Sequence, residues 1–253
     1  MKIGITLSGG GARGAAHTGA LQALNENDIF PQAVSGSSAG ALIGALYCCG
    51  YAPKEILQLS TNHSFLKIFR LGFINKGLTE LTYLEEFLNV NLKVKTFENL
   101  PVSLKVGVTN INTGAFEIID SGNIVDAVVA SCSIPLLFRP KKIGKDIYID
   151  GGVTNNLPIE CLEADVDKIL GISVCPHKYD SRVDGMKDIA ERVFHLAVWN
   201  NMESRMAKCD FAIEIEGAFP FGMFDLQQSQ ELFKVGYDAL KQDIQRVKRI
   251  FEI

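Results

Sequence analysis

Three short stretches of this chain carry residue types that together could perform acyl transfer. Gly36-Ser37-Ser38-Ala39-Gly40 is a G-x-S-x-G turn centred on Ser38. Gly9-Gly10-Gly11-Ala12-Arg13-Gly14 is a glycine-rich turn, and Asp150-Gly151-Gly152 sets a carboxylate at a tight turn. The reaction needs a raised nucleophile, a cradle of donors for the oxyanion and a base for the nucleophile's proton. Each stretch can supply one of these.

A nucleophilic serine has to stand clear of its surroundings. A strand-to-helix turn achieves this by forcing the backbone into close quarters, which small residues two before and two after the serine relieve. Gly36 and Gly40 fill those positions, so Ser38 rather than Ser37 is the candidate nucleophile. The helix that follows also aims its positive dipole end at the developing negative charge. The competing explanation is a serine that merely caps that helix.

The glycine turn has two uses. Gly9, Gly11 and Gly14 satisfy G-x-G-x-x-G, the dinucleotide fingerprint, which expects an acid about twenty residues on to hold the ribose. The second strand ends at Val34-Ser35-Gly36-Ser37 without one, which argues against a nucleotide cofactor. The alternative is an oxyanion hole in which backbone amides from Gly9, Gly10, Gly11, Ala12, Arg13 and Gly14 converge on one point. Arg13 could fix the loop, meet a substrate phosphate or make a structural ion pair.

The base has two candidates. A Ser-Asp-His triad could combine Ser38 with Asp120 or Asp150 and with His177 or His195, while His17 sits within a helix and suits a structural hydrogen bond. The α/β-hydrolase elbow normally follows several strands, and this one follows the second, which counts against a triad. Asp150 is the better motivated base: a strand delivers it to a Gly-Gly turn, where it could accept the serine proton directly. Such a carboxylate has to be partly dehydrated to be basic enough. An Asp-Gly dipeptide can also be a plain turn.

The elements that must position these groups follow from periodicity. Strands are expected at Lys2–Leu7, Ala33–Ser35, Leu104–Asn110, Ala115–Asp120, Lys145–Asp150, Lys168–Val174 and Phe211–Glu216. Helical spacing runs over Arg13–Asn27, Ser38–Cys49, Thr79–Val94, Asn123–Ser131 and Asp188–Ala207, with another helix starting at Pro53 and no clear pattern over 61–78. Phe233, Tyr237, Leu240, Ile244, Val247 and Phe251 form one apolar stripe on a terminal helix expected to pack on the sheet. This alternation predicts a three-layer α/β/α fold with a mostly parallel central sheet, as a single domain over residues 1–253.

Composition narrows the function classes. With 47% apolar residues, the 253-residue chain can bury a sizeable core. A net charge of −4 argues against general nucleic-acid binding. The first residues read as a strand rather than a targeting segment, and no apolar run is long enough to span a bilayer. The six cysteines form no C-x-x-C pair and no zinc-ligand spacing. Reduced thiols and a cytoplasmic location are expected.

Together with Ala130-Ser131-Cys132-Ser133-Ile134-Pro135, the three motifs resemble the patatin-like phospholipase family over the first two-thirds of the chain. The resemblance implies a Ser38–Asp150 dyad, an oxyanion hole from the Gly9–Gly14 loop, no metal and no cofactor, and hydrolysis of lipid or lysolipid acyl esters. Ser133 departs from the alanine frequent in relatives, which bears on pocket shape. The alternatives are a soluble carboxylesterase or thioesterase with the same dyad, and a non-catalytic regulatory or interaction protein on the same fold. Two aromatic stretches could touch a membrane peripherally or pack in the core: Phe65, Phe69 and Phe73 beside Lys67, Arg70 and Lys76, and Ala218–Phe224.

Overall fold

The computed structural model describes all residues except 63–64, 68–80, 180–182 and 201. In chain order, β1 (Ile3–Leu7) leads through a tight 3-10 turn at Gly11–Gly14 into α1 (Ala15–Asn25). Next come β2 (Ala33–Ser37), α2 (Ala39–Cys48), α3 (Pro53–Ser60) and α4 (Thr82–Asn91). The middle of the chain forms β3 (Ser103–Asn110), β4 (Phe116–Ile119), α5 (Ile124–Ser131), β5 (Lys141–Ile143) and β6 (Asp146–Asp150). The last part is β7 (Lys168–Ser173), α6 (Met186–Trp199), α7 (Glu203–Met206), β8 (Phe211–Glu214) and α8 (Ser229–Ile250).

Local signals account for several ends. Gly50 follows α2 with φ of 85°, a conformation glycine adopts without strain. Pro53 opens α3, where its missing N–H costs nothing. The Asn123 side chain caps α5 by accepting from the amide of Asp126 at 3.1 Å.

The eight-stranded sheet follows the hydrogen-bonded path β5-β6-β3-β2-β1-β7-β8, with β4 also on β3. β3, β2, β1, β7 and β8 pair in parallel, and β4, β5 and β6 join antiparallel at one end. Along β3, Gly107 pairs with Ser37 of β2 and Ile118 of β4, while Val108 pairs with Glu117 of β4 and Asp150 of β6. A strand residue has two sides. β4 therefore lies along one side of β3, and β2 and β6 follow each other along the other.

Alternating residues feed two faces of the sheet. Val34 and Leu170 enter the main core with Leu21, Leu46, Val128 and Leu240 from α1, α2, α5 and α8. Ala33 and Ile169 point the other way, onto Ile159 and Leu162. The fold is the expected three-layer α/β/α arrangement. Four local expectations change. The glycine turn is 3-10 before α1 begins. One long helix over 188–207 is instead α6 and α7, separated near Asn200. β5 was not expected. The terminal helix packs chiefly on α1, where its Gly236 comes so close to Ala16 that a Cβ would lie 1.9 Å from the Ala16 carbonyl oxygen.

Candidate active site

Ser38 stands between the last residue of β2 and the first of α2 with φ 52° and ψ −121°, a region that costs a non-glycine residue on the order of 1–3 kcal/mol. The surroundings hold it there. Its amide donates to the Ser131 hydroxyl at 2.8 Å, and that hydroxyl donates to the Gly107 carbonyl at 2.7 Å. The two flanking glycines leave no room for larger residues. A Cβ on Gly36 would lie 2.5 Å from the Gly40 carbonyl carbon, and one on Gly40 would lie 2.2 Å from the Leu7 carbonyl oxygen.

Asp150 ends β6 where β2 has just ended, on the same side of β3. Its backbone is fixed at both poles: the amide donates to the Ser133 carbonyl at 2.9 Å, and the carbonyl accepts from the Thr109 hydroxyl at 2.9 Å. The following Gly151 lets the chain pass so close that a Cβ there would sit 2.1 Å from the Gly107 carbonyl oxygen. Ser133 turns its own hydroxyl back to the Val129 carbonyl at 2.8 Å, so its departure from alanine is absorbed within the helix end.

The carboxyl of Asp150 is 1% exposed and Ser38 is 7% exposed. Burial pushes the Asp150 pKa up to about 7, against the pull of the Ser38 hydroxyl and the Gly152 amide toward the charged form. Oδ1 accepts from the Gly152 amide at 2.8 Å, whereas the buried Oδ2 has no hydrogen-bond partner. The Ser38 hydroxyl is thus near enough to act on the carboxyl without making a well-formed hydrogen bond to Oδ2. Catalytic contacts are often this loose before substrate arrives.

The glycine turn packs against both groups. Gly9 donates its amide to Asn156 Oδ1 at 3.0 Å, Ala12 donates to the Met223 carbonyl at 2.7 Å, and Arg13 donates to the Gly10 carbonyl at 3.3 Å. Among the described residues the amides of Gly10 and Gly11 have no acceptor. The Arg13 side chain is buried and ties the turn to a later loop, donating through Nε to the Phe221 carbonyl at 2.8 Å and through Nη2 to the Phe219 carbonyl at 3.4 Å.

Ser38, Asp150, Gly9, Gly10, Gly11 and Asn156 line one small pocket together with Phe194, His195 and Val198 of α6. Arg13, Gly14, Gly36, Gly40, Gly151 and Gly152 stand behind this lining as supports.

Asn156 carries no motif, and its place beside the glycine turn was not anticipated. The one available signal was its nearness to the Asp150-Gly151-Gly152 turn. The histidines divide. His17 accepts burial as a neutral ring with its pKa lowered to about 4, and its Nε2 meets the Ser8 carbonyl at 2.8 Å. His177 stacks on Trp199 at 3.9 Å between ring centroids. His195 lines the pocket, but its Nδ1 faces the Arg192 guanidinium at 3.1 Å rather than a carboxylate. Arginine can only donate, so Nδ1 accepts and the neutral ring carries its proton on Nε2. That is the wrong tautomer for a triad base.

Of the aromatic stretches, Phe69 and Phe73 lie outside the described residues with His63, Arg70 and Lys76. Phe65 and Phe221 are buried, which is the core-packing alternative. Among the described residues no helix is long and apolar enough to cross a membrane, and no group of three or more His, Cys, Asp or Glu side chains could hold a metal. Burial raises the pKa of Cys48, Cys132, Cys161, Cys175 and Cys209, keeping these thiols protonated.

Comparison with known proteins agrees with the arrangement of motifs. The family model described as patatin-like phospholipase matches residues 5–162. An uncharacterised protein, R571, of Acanthamoeba polyphaga mimivirus is 27% identical over 95% of this chain and 93% of its own length. The lysophospholipase nte1 of Emericella nidulans is 27% identical over 97% of this chain, which spans only 18% of that protein. Among solved structures, VipD of Legionella pneumophila superposes with a TM-score of 0.56 at 18% identity, over 97% of this chain and 67% of that one. The human GIVD cytosolic phospholipase A2 gives 0.52 at 12% identity, over 99% and 58%. These structural likenesses are likenesses of fold, and the matched sequence spans more than half of the chain and contains all three motifs. The chain belongs to the patatin-like phospholipase family.

Proposed function

We propose that this protein is a serine acyl hydrolase that cleaves fatty-acyl esters of lipids or lysolipids with a Ser38–Asp150 dyad. The observation that carries this is the end-to-end run of β2 and β6 along β3. It brings a strained serine and a buried carboxyl, its pKa raised by that burial, to one pocket beside two amides without an acceptor among the described residues.

In the proposed reaction the Ser38 hydroxyl attacks the acyl carbonyl carbon and passes its proton to Asp150. The amides of Gly10 and Gly11 receive the oxyanion, each donor contributing about 2.7–4 kcal/mol to the transition state. The amides of Gly9, Ala12 and Arg13 are already spent on internal acceptors, so they shape the cradle instead of filling it. The C–O bond to the alcohol or lysolipid breaks, and Asp150 returns the proton to the leaving oxygen. Water then gives its proton to Asp150 and adds to the acyl-enzyme, and Ser38 leaves with that proton as the fatty acid departs. The chemistry uses no metal and no cofactor. We place it in the cytoplasm, with peripheral contact to lipid.

Purified protein assayed on fatty-acyl p-nitrophenyl esters, phospholipids and lysophospholipids, with Ser38→Ala as control, tests the activity. Turnover that disappears in the control supports a serine hydrolase, and the preferred panel member separates a lipase from a soluble carboxylesterase or thioesterase. Equal turnover by wild type and control would refute it.

A further inference from the structure

Two short segments bracket Ser38 and Asp150, and each segment holds both of them. One is the end of α5, Ser131 to Ser133. The Ser131 hydroxyl accepts from the Ser38 amide at 2.8 Å, and two residues on the Ser133 carbonyl accepts from the Asp150 amide at 2.9 Å. The other is the Gly107-Val108 step of β3. The Gly107 carbonyl accepts from the Ser131 hydroxyl at 2.7 Å, and Val108 is the strand partner of Asp150. The links close on themselves: Ser38 to Ser131, Ser131 to Gly107, one peptide along to Val108, across to Asp150, and back through Ser133.

Ser131 is the member of this circuit that acts through its side chain; the other links are made by backbone. A hydroxyl carries one proton and two lone pairs, so it can take the Ser38 N–H and still donate to Gly107. Ser131 is fully buried, and removing its hydroxyl takes the partner from a buried amide donor. The amide at stake belongs to the residue with φ 52°, a conformation that persists only where the surroundings over-determine it. Gly36 and Gly40 make room for that turn, and the bond to Ser131 holds it.

We infer that Ser131 is a positioning residue for the acyl transfer: its hydroxyl ties the Ser38 backbone to β3 and so sets how far the nucleophile stands from Asp150. This rests on the hydrolase activity proposed above. Ser131 acts through the Ser38 amide, so its loss changes the geometry of attack and leaves the groups that receive the ester in place.

Steady-state kinetics on one p-nitrophenyl ester and amide hydrogen exchange at Ser38, which needs no turnover, test this together. Ser131→Ala lowers kcat about ten- to a hundredfold with KM within about twofold, and it speeds exchange at the Ser38 amide while the β1 amides stay protected. Ser131→Cys keeps the shape and weakens both bonds, so it gives a smaller loss of the same kind and serves should Ser131→Ala fail to fold. Ser60→Ala removes another buried hydroxyl bond, from α3 to the Leu57 carbonyl at 2.7 Å, and keeps the wild-type kcat. If Ser131→Ala behaves as Ser60→Ala does, with the Ser38 amide still protected, the flanking glycines hold the turn unaided and the inference is wrong. A loss carried by KM overturns it too. If the wild type turns over no ester and Ser131→Ala still frees the Ser38 amide, the bridge stands and the hydrolase proposal falls.

Discussion

The amide of Gly9 donates to the side-chain oxygen of Asn156, 147 residues away, at 3.0 Å. This one bond joins the glycine turn to the segment that follows Asp150. Asn156 also donates through Nδ2 to the Met202 sulfur at 3.0 Å, which fixes which end of its amide faces Gly9. In the proposed mechanism Asn156 is a positioning residue that holds the glycine turn at its distance from Ser38 and Asp150. Asn156→Ala is expected to lower kcat about tenfold or more with little change in KM, because a displaced cradle loses contacts made only in the transition state. Steady-state kinetics on one ester checks this. An equal rise in KM with kcat intact would make Asn156 a binding residue instead.

Asp150 has to be ionised to take a proton, and burial sets its pKa at about 7. The proposed dyad therefore gives a kcat/KM that falls tenfold per pH unit on the acid side, with a midpoint near 7. A profile from pH 5 to 9 measures it. A limb centred near 4, where an ordinary carboxylate titrates, would remove Asp150 from that role.

The same burial makes a prediction about stability with the opposite benefit. A carboxyl whose pKa is higher folded than unfolded binds protons better in the folded state. Its contribution to stability is lost as pH rises from about 4 toward 7. Asp150→Asn should raise the Tm at pH 8, where the native carboxylate is charged and buried, by more than at pH 5, and change it little at or below about pH 4. The gain corresponds to a few kcal/mol at most. His17 has the reverse sign: its folded pKa is lowered to about 4, so its contribution is complete above about 6.5 and fades as pH falls toward 4. Thermal melts across pH of the wild type, Asp150→Asn and His17→Gln separate the two. A lower Tm for Asp150→Asn at pH 8 would mean that the buried charge is well compensated.

Replacing the histidines one at a time distinguishes the dyad from a triad. His177 is stacked on Trp199, and the Nδ1 of His195 faces an arginine guanidinium where a triad base has its carboxylate. His177→Ala and His195→Ala should keep ester hydrolysis within about tenfold, well short of the loss of roughly 10⁴ or more expected when a triad member goes. A loss of that larger size in either would revive the triad.

Much of this site was legible locally. The serine turn, the glycine turn and the Asp-Gly-Gly turn are short patterns, and each adjoins a strand whose apolar run is visible in sequence. Their meeting was not legible, because it depends on pairings between distant strands. Gly107 and Val108 carry no mark showing that one pairs with Ser37 and the next with Asp150. β5, with the sequence Lys141-Lys142-Ile143, is too short and too charged to alternate. Asn156 entered the site through tertiary contact alone. For Phe221 the sequence leaves membrane contact and core packing open; in the fold its side chain is buried and Arg13 donates to its carbonyl. The terminal apolar stripe fixed the existence of α8 but not its partner, which close approach at Gly236 made α1.

Fluorophosphonate labelling is the most direct test of whether a buried hydroxyl and carboxyl act as a pair. The probe phosphonylates only an activated serine, and intact-mass and peptide mass spectrometry locate the adduct. The wild type should be labelled on Ser38, with the rate falling about a hundredfold or more in Asp150→Asn. No adduct on Ser38 in folded wild-type protein, or equal labelling rates with and without the Asp150 carboxylate, would contradict the dyad.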